Sequence, residues 1–232
     1  MLASTSGARF AAARLALALP GQVHVGLTRT EPIPRLASGI ASLDTLLDGG
    51  VPRGRVSELC GPLSCGKTSL ALSLVAAVTR RDGIVACIDL PDALQPASVA
   101  AAGADLRRVL WVRPASMVDA MRCTELLLQA GGFALIVLDV CTPVPRRVRG
   151  FVWPRLMRAA EQSHTAVLVL TPHRIAGSFA ALSLAFCRRT ARWHHGAWPL
   201  FDGFDIAARI ERTKLGAPQA KSVPLRVESQ QR

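Results

Sequence analysis

One short segment constrains the fold of this 232-residue chain more than any other: GPLSCGKT, residues 61–68. It matches the pattern GxxxxGK[ST] in full, follows the apolar stretch RVSEL and opens the apolar run KTSLALSLVAAVTRR. A glycine-bearing turn between a strand and a helix presents backbone N–H groups and the positive end of the helix dipole, which together bind phosphate. The alternative is a turn that caps an ordinary helix, and the strand–loop–helix order favours the phosphate loop over it.

The residue types within this segment predict a nucleotide and a metal as ligands. Gly61 and Gly66 allow the backbone to curl around a phosphate, and Lys67 is expected to reach the β and γ oxygens. The Thr68 hydroxyl is expected to hold Mg²⁺. We therefore expect ATP and Mg²⁺ as cofactors, with the nucleotide bound by Gly61, Ser64, Cys65, Gly66, Lys67, Thr68 and Ser69.

Asp139 is the candidate acidic partner for the metal. It ends the apolar stretch LIVLD, about seventy positions beyond the loop. Ligands of parallel sheets bind where the strands end. Taken alone, Asp139 could equally be a helix cap or a turn residue. With a phosphate loop upstream, coordination of Mg²⁺ through water is the favoured role.

Apolar stretches separated by amphipathic helical patterns run along most of the chain. Buried strands are predicted at residues 55–60, 83–89, 109–112, 133–139, 165–170 and 204–211, and helices at 67–81, 117–131, 154–163 and 179–192. Continuous apolar strands between helices are typical of a parallel sheet that helices cover on both faces. The sequence therefore predicts an α/β fold with a mostly parallel central sheet, and an Ala-rich pattern near residues 7–19 predicts a short N-terminal helical appendage.

Composition narrows the partners and the compartment. The formal net charge is +12, yet only 19% of residues are charged, which predicts a globular protein with a basic surface. A polyanionic partner fits this charge, although an arginine surplus also follows from GC-rich coding. Six cysteines without a CxxC pair favour a reduced cytosolic setting, and no apolar run reaches the roughly 20 residues of a membrane span. We expect a cytoplasmic protein without a membrane partner.

A basic segment, CTPVPRRVRGFVWPRLMRAA, follows Asp139 and interleaves arginines with two aromatic residues. Arginines neutralise phosphates and aromatic side chains stack on unpaired bases, so single-stranded DNA is a candidate ligand. The alternative is a solvated arginine face on a linker and a helix. The candidate DNA-binding residues are Arg146, Arg147, Arg149 and Arg155, with Phe151 and Trp153 as candidate stacking residues.

The match to a known family extends well beyond the loop. GIASLDTLLDGGVPRGRVSELCGPLSCGKTSLALSLVAA resembles the start of the ATPase core of RecA-type recombinases, ACIDLPDALQP its second core strand, and ALIVLDV its Walker B strand. RIERTKLGAP resembles the late strand whose basic residues approach a neighbour's nucleotide, which implies that Arg212 and Lys214 face a subunit interface. The resemblance implies a RecA-like P-loop core over residues 36–218. Residues 1–35 would be an appendage or oligomerisation arm, and 219–232 a tail.

Departures from the family pattern concern catalysis. RecA-type enzymes carry a glutamate after the second strand that polarises the attacking water, and Pro91 stands at this place here. Asp92 follows, but its side chain is shorter and one position displaced, so it is only a tentative catalytic base. The strand AVLVLTPHR ends in Thr171 and Pro172 where recombinases carry an amide that reports the γ-phosphate. General base catalysis typically contributes about 10²–10⁴ in rate, so we expect weak or absent ATP hydrolysis.

The second DNA loop of recombinases is reduced to HRIAGS, residues 173–178, in which Arg174 is the candidate DNA contact. A short RecA-like core with lost catalytic and relay residues resembles the ImuA family, the RecA-like accessory proteins of bacterial mutagenesis cassettes. This resemblance implies a nucleoid-associated role in damage-induced (SOS) translesion DNA synthesis. The implied partners are DNA, RecA recombinase and the polymerase-like protein ImuB, with possible self-association.

Two other function classes stay open. One is a DNA-stimulated ATPase of the recombinase-paralogue type, acting in recombinational repair, in which Asp92 replaces the missing base. The other is an SOS cell-division inhibitor, for which no residue specifically argues.

Overall fold

The structure is a computed structural model of the chain and describes residues 33–141, 152–195, 199–216 and 222–228. The chain divides into two compact units, Met1–Ile33 and Pro34–Arg232. Most of the predicted N-terminal appendage falls in residues 1–32, outside the described ranges. The fold given below is that of the second unit.

The described ranges contain ten strands and five α-helices. The strands are β1 (Arg35–Leu36), β2 (Val51–Pro52), β3 (Val56–Cys60), β4 (Val85–Asp89), β5 (Val109–Val112), β6 (Leu135–Asp139), β7 (Ala166–Thr171), β8 (Leu182–His195), β9 (Pro199–Thr213) and β10 (Ser222–Glu228). The helices are α1 (Ala41–Leu46), α2 (Lys67–Thr79), α3 (Pro96–Ala101), α4 (Met117–Ala130) and α5 (Val152–Ser163). None of these helices is long and apolar enough to cross a membrane.

Eight strands form one sheet in the order β10-β9-β8-β3-β7-β6-β4-β5. In this spatial order, every pair of adjacent strands from β8 through β3, β7, β6 and β4 to β5 is parallel. Strand β9 runs antiparallel to both β8 and β10. The predicted α/β class with a mostly parallel central sheet flanked by helices is therefore confirmed. Because β3, β4, β6 and β7 run in the same direction, the loops that follow them lie at one edge of the sheet.

Apolar side chains cover both faces of the sheet, which is why its central strands read as continuous apolar runs. One face packs with α1 and α2 through Leu43, Leu70 and Leu74. The other face packs with α4 and α5 through Met121 and Leu156. These helix layers hold β3 and β6 in place, and with them the loops at their carboxyl ends.

The predicted helix at residues 179–192 is wrong, because most of this stretch forms strand β8. Leu182, Leu184 and Phe186 are buried on one face of this strand, and β8 pairs with β3 on one side and β9 on the other. The Ala- and Arg-rich composition favours a helix locally. Two neighbouring strands instead satisfy the backbone hydrogen bonds of an extended chain, and this tertiary pairing prevails.

The sheet continues past residue 218, where the core was predicted to end. Strand β10 pairs along β9 with Leu225 opposite Ile206, and the Leu225 side chain is buried. Residues 222–228 are therefore part of the sheet. Pro224 is compatible with this position because β10 is an edge strand.

Candidate nucleotide site

Residues 61–66 connect β3 to α2 and form the candidate phosphate loop. Ser64 and Gly66 both adopt left-handed backbone angles, with φ of 58° and 89°, so the chain curls tightly before the helix begins. The N-cap of α2 is Gly66, which has no side chain to accept hydrogen bonds from the first helical N–H groups. These N–H groups and the positive end of the helix dipole are thus available to an anion held in the loop.

Gly61 is required by the close approach of another strand. A Cβ atom at this position would lie 2.5 Å from the carbonyl oxygen of Phe186 and 2.8 Å from Sγ of Cys65. The Gly61 N–H also donates to the carbonyl oxygen of Thr171 at 3.2 Å. The start of the loop is therefore fixed between β7 and β8.

The Lys67 side chain lies within the loop and not in solvent. Lys67 is 4% exposed, and its ammonium donates to the carbonyl oxygens of Gly61 and Pro62, the latter at 3.1 Å. Neither of these partners is an acid. No acid of the described residues lies within ion-pair distance of Lys67, although its charge opposes the rise in the pKa of Asp139, so the ammonium can pair with a phosphate.

Three cavities share Thr68 as a lining residue. The first, about 130 Å³, is lined almost entirely by residues 62–69. The second, about 140 Å³, includes Asp89 and Asp139 in its wall. The third, about 500 Å³, is lined mainly by aliphatic side chains, Leu94 among them. Thr68 thus lines a small space inside the loop, a mostly apolar space that contains two carboxylates, and a larger space of mixed aliphatic and polar lining.

Thr68 and Asp139, the residues predicted to hold Mg²⁺, line the same cavity. Asp139 ends β6, and its carboxylate accepts a hydrogen bond from the backbone N–H of Cys141 at 2.9 Å. Burial raises the pKa of Asp139, the Cys141 N–H opposes the rise, and the nearby carboxylate of Asp89 adds to it. A cation in this cavity would stabilise the ionised carboxylate.

The donor set fits Mg²⁺ bound mainly through water and phosphate. The described ranges contain no cluster of three or more His, Cys, Asp or Glu side chains that could hold a metal. Mg²⁺ keeps several waters and binds through one or two protein oxygens together with substrate phosphates. Thr68 and Asp139 satisfy this requirement, whereas they would not retain a metal on their own.

Asp89 is a site residue that the sequence analysis missed. It ends β4 directly opposite Asp139, is 3% exposed, and lines the cavity that Thr68 lines. Its carboxylate accepts from the N–H groups of Ala93 and Leu94 at 3.1 and 2.8 Å, and from Nε1 of Trp111 at 3.3 Å. Asp89 therefore shapes the turn after β4. The sequence does contain a signal for Asp89, because this residue ends an apolar stretch just as Asp139 does.

The turn after β4 also contains Pro91 and the tentative base Asp92. Asp92 is exposed and forms a two-point ion pair with Arg113, with N–O distances of 2.6 and 2.5 Å. This pairing holds the pKa of Asp92 below its usual value. Asp92 is not among the residues that line the cavities around Thr68. A carboxylate of lowered pKa that is engaged elsewhere is a poor general base.

The candidate DNA-binding arginines divide into three groups. Arg146, Arg147 and Arg149 lie outside the described residues. Arg155 on α5 pairs with Glu125 on α4, with Nε 2.8 Å from the carboxylate, so its charge is matched within the fold. Arg174 is exposed after β7, and its guanidinium donates to the carbonyl oxygen of Gly177 at 3.2 Å.

The prediction that Trp153 stacks on bases is wrong. Its side chain is 2% exposed and packs in the apolar cluster with Leu156 and Ala160. The spacing of these three residues places them on one face of α5, and that face covers the sheet. Phe151, the other candidate stacking residue, lies outside the described part of the chain.

Arg212 and Lys214 lie at the other end of the sheet from the phosphate loop. Thr213 pairs with Leu182, which pairs with Ser57 near the start of β3, whereas the loop follows the end of that strand. Lys214 is exposed and Arg212 is half-buried. Their position is compatible with the predicted contact to another subunit and not with a contact to their own phosphate loop.

A mostly parallel sheet, a glycine-bearing loop between β3 and α2, and an acid that ends β6 define the phosphate-loop class of α/β proteins. The family model of the RecA N-terminal domain matches residues 21–149, more than half of the chain. The chain belongs to the RecA family.

Curated relatives and a solved structure agree with this family. The chain is 36% identical over 126 residues to Protein RecA of Rubrobacter xylanophilus, covering 53% of this chain and 37% of that protein. It is 37% identical over 125 residues to Protein RecA of Arthrospira platensis, covering 53% and 34%. The chain thus spans about a third of the length of these relatives. The crystal structure of the RadB recombinase superposes with a TM-score of 0.65 at 20% identity, over 82% of this chain and 95% of that one, which shows a shared fold.

Proposed function

We propose that this chain binds ATP with Mg²⁺ and acts as a RecA-like accessory protein in damage-induced (SOS) mutagenesis and translesion DNA synthesis. The observation that carries the proposal is the combination of an intact phosphate loop with a proline at the usual position of the catalytic base. Lys67 is held within the loop, and Thr68 and Asp139 line one cavity. Pro91 cannot accept a proton from water. Binding is therefore favoured over turnover.

The cavities around Thr68 support a whole nucleotide as the ligand. The phosphates would occupy the loop between Gly61 and Lys67, and Mg²⁺ the space beside Asp139. The cavity of about 500 Å³, with Leu94, Gln95 and Ile206 in its wall, is large enough for a nucleoside. Its aliphatic lining would bury the base.

The surroundings of Asp92 support slow hydrolysis. Its carboxylate is paired with Arg113, and the resulting low pKa weakens it as a base. Since general base assistance is typically worth about 10²–10⁴ in rate, the chain is expected to hold ATP far longer than a recombinase does. Bound ATP would then define a conformational state of the protein, and its hydrolysis would not drive a reaction cycle.

Family membership and the basic charge support single-stranded DNA as a partner. The chain has a formal net charge of +12, and Arg174 is exposed at the same edge of the sheet as the phosphate loop. The protein partners implied by the resemblance to the ImuA family are RecA recombinase and the polymerase-like ImuB. Residues 1–35 are the proposed arm for these contacts or for self-association, with Arg212 and Lys214 at the facing interface. A pull-down with RecA, with and without residues 1–35, tests this assignment.

A second candidate is a DNA-stimulated ATPase of the recombinase-paralogue type. The observation that favours it is Asp89, a carboxylate that lines the cavity between Thr68 and Asp139 and would be available as an alternative base. Its oxygens are already engaged by two backbone N–H groups and an indole, which makes this role the weaker of the two.

ATP hydrolysis measured with and without single-stranded DNA separates the two candidates. The accessory role predicts little turnover in either condition, with no difference between the wild type and Lys67→Ala. Turnover of several per minute that rises with DNA and disappears in Lys67→Ala would refute the accessory role and support the ATPase. Because both rates are low under the accessory role, nucleotide binding is measured in the same samples to confirm that the wild-type site is occupied.

A further inference from the structure

The turn that follows β4, residues 90–95, forms one wall of the space proposed for the nucleoside. Leu94 and Gln95 line the cavity of about 500 Å³, and Leu94 also lines the cavity that contains Asp89 and Asp139. The turn lies between the end of β4 and the start of α3. Its shape therefore depends on contacts to neighbouring elements.

One set of contacts fixes the inner side of this turn. The buried carboxylate of Asp89 accepts from the N–H groups of Ala93 and Leu94, which closes the turn over the end of β4. The same carboxylate accepts from Nε1 of Trp111 on β5 at 3.3 Å. The neighbouring strand β5 therefore supports the turn through Asp89.

A second set of contacts fixes the outer side of the turn. Both carboxylate oxygens of Asp92 accept from the guanidinium of Arg113, the residue directly after β5, at 2.6 and 2.5 Å. This guanidinium lies over the Trp111 ring, 5.4 Å from the ring centroid, which is a cation–π arrangement. Trp111 thus contacts Asp89 through its ring edge and Arg113 through its ring face. The turn is therefore held from β5 at two points.

The backbone of Asp92 indicates that this ion pair belongs to a defined turn. Its φ is 54°, in the left-handed region, which Asp and Asn adopt more readily than most other residues with a side chain. An exposed ion pair contributes little to global stability, because water screens it and two side chains must be ordered. A two-point pair has a specific geometry, however, and here the guanidinium also stacks on an indole. Its expected effect is therefore local: it limits the conformations of the turn.

We propose that Arg113 and Trp111 are positioning residues that hold the turn at residues 90–95 against the nucleoside, with Asp92 as their contact point on the turn. The inference rests on the proposed nucleotide site and deepens it. A wall that is ordered before the ligand arrives loses less conformational entropy on binding, which strengthens binding of the nucleoside. The phosphate loop is fixed by other contacts, because its first residue is bonded to β7. Loss of Arg113 should therefore weaken binding of the nucleoside and leave binding of the phosphates unchanged.

The test separates the nucleoside from the phosphates. The full chain is titrated in Mg²⁺ buffer with the non-hydrolysable nucleotide AMP-PNP and with inorganic tripolyphosphate, and the ratio of the two Kd values gives the preference for the nucleotide. Arg113→Ala is expected to lower this preference about fivefold through weaker AMP-PNP binding, with the Kd for tripolyphosphate unchanged. An unchanged preference, or equal weakening of both ligands, would overturn the proposal. Tripolyphosphate that does not bind to the wild type would also overturn it, since phosphate binding would then not be independent of the nucleoside.

Arg107→Ala is the matched control at the other end of β5. Arg107 also forms a two-point ion pair, with Asp105, in which both N–O distances are 3.1 Å. Neither of these two residues is among those that line the cavities around Thr68. The variant is therefore expected to keep the wild-type preference for the nucleotide. A fall as large as that of Arg113→Ala would show that loss of any exposed ion pair has this effect, and would contradict a specific role at the turn.

Variants of Asp92 and Trp111 test the other contacts. Asp92→Asn tolerates the left-handed backbone but loses the charge, so it is expected to lower the preference for the nucleotide. Combined with Arg113→Ala it should add no further loss, because both changes remove the same ion pair, and additive losses would contradict the pairing. Trp111→Leu removes both the ring under Arg113 and the N–H donor to Asp89, and is also expected to lower the preference. A folded Trp111→Leu protein with the wild-type preference would contradict the positioning role of the indole.

Arg113→Lys tests the geometry if Trp111→Leu does not fold. Lysine keeps a cation but cannot form the two-point pair, so a preference between those of the wild type and Arg113→Ala is expected. A lysine variant with the full wild-type preference would show that charge alone is sufficient, which contradicts positioning by a fixed pair. Absence of AMP-PNP binding by the wild type would refute the proposed function. Wild-type binding with an unchanged preference in Arg113→Ala would refute this inference alone.

Discussion

Single residues of the loop are positioned by neighbouring strands before any ligand is considered. The Lys67 ammonium is held by two loop carbonyls, and Gly61 is bonded to Thr171 on β7. Phe186 on β8 approaches Gly61 so closely that a side chain cannot be accommodated. The shape of the phosphate loop thus depends on strands that follow it by more than a hundred residues.

Gly61→Ala is expected to destabilise the fold through this close approach. The added Cβ would meet the Phe186 carbonyl at 2.5 Å, and overpacking of this kind typically costs about 1–3 kcal/mol. Gly132→Ala is the matched control: Gly132 also has a positive φ, 83°, but beyond its chain neighbours no atom of the described residues would lie within 4 Å of the added Cβ. Denaturant midpoints give both free energies of unfolding. Equal losses in the two variants would contradict the contact to β8.

At the scale of secondary-structure elements, the local sequence predicts an element correctly where its own hydrophobic pattern shows how the element is buried. Strands β3, β4, β6 and β7 and helices α2, α4 and α5 were predicted because their apolar side chains are buried by packing on the faces of the sheet. Strand β5 was predicted from a similar apolar run, but it is an edge strand and only partly buried, with Leu110 43% exposed. Strand β8 was predicted as a helix because its composition favours one, and only the pairing with β3 and β9 makes it extended.

The phosphate loop and Asp139 were predicted from motif and spacing. Asp89 could have been found from the sequence, because it ends an apolar stretch as Asp139 does. Glu58 could not, because its carboxylate accepts hydrogen bonds from Ile175, Ala176 and Ser183, whose approach no local pattern reveals.

Strand β10 gives a prediction at this scale. Leu225 is 6% exposed and packs in the core cluster on the α2 face, so Leu225→Ala is expected to lower stability by about 2 kcal/mol. Pro224→Ala, at an exposed position of the same strand, is expected to change stability by less than about 0.5 kcal/mol. Thermal or chemical denaturation measures both. If Leu225→Ala is also neutral, residues 219–232 behave as the tail that the sequence suggested.

At the scale of the whole molecule, not every positive charge is available to bind a polyanion. Nine arginines of the described ranges form ion pairs with acids, Arg155 among them. The charge that a polyanion can neutralise must therefore come mostly from other basic residues. The group Arg146, Arg147 and Arg149 is the densest such group in the sequence.

Replacing Arg146, Arg147 and Arg149 together by alanine is expected to weaken binding to single-stranded DNA. Each phosphate contact contributes about 0.7 to the slope of log K against log salt, so the slope should fall by up to about 2. Arg155→Ala should change both affinity and slope little, because Glu125 already matches its charge. Titrations with a labelled oligonucleotide at several salt concentrations give the slopes. If the triple variant binds DNA as tightly as the wild type does, this segment is a solvated arginine face and not a DNA contact.

The central claim is that the loop holds ATP while the means of cleaving it is missing. The most direct measurement is to incubate the protein with ATP and Mg²⁺, separate it from free nucleotide, and identify what it retains by chromatography. The account predicts intact ATP bound to the wild type and none bound to Lys67→Ala. Recovery of ADP, or of no nucleotide from the wild type, would contradict it.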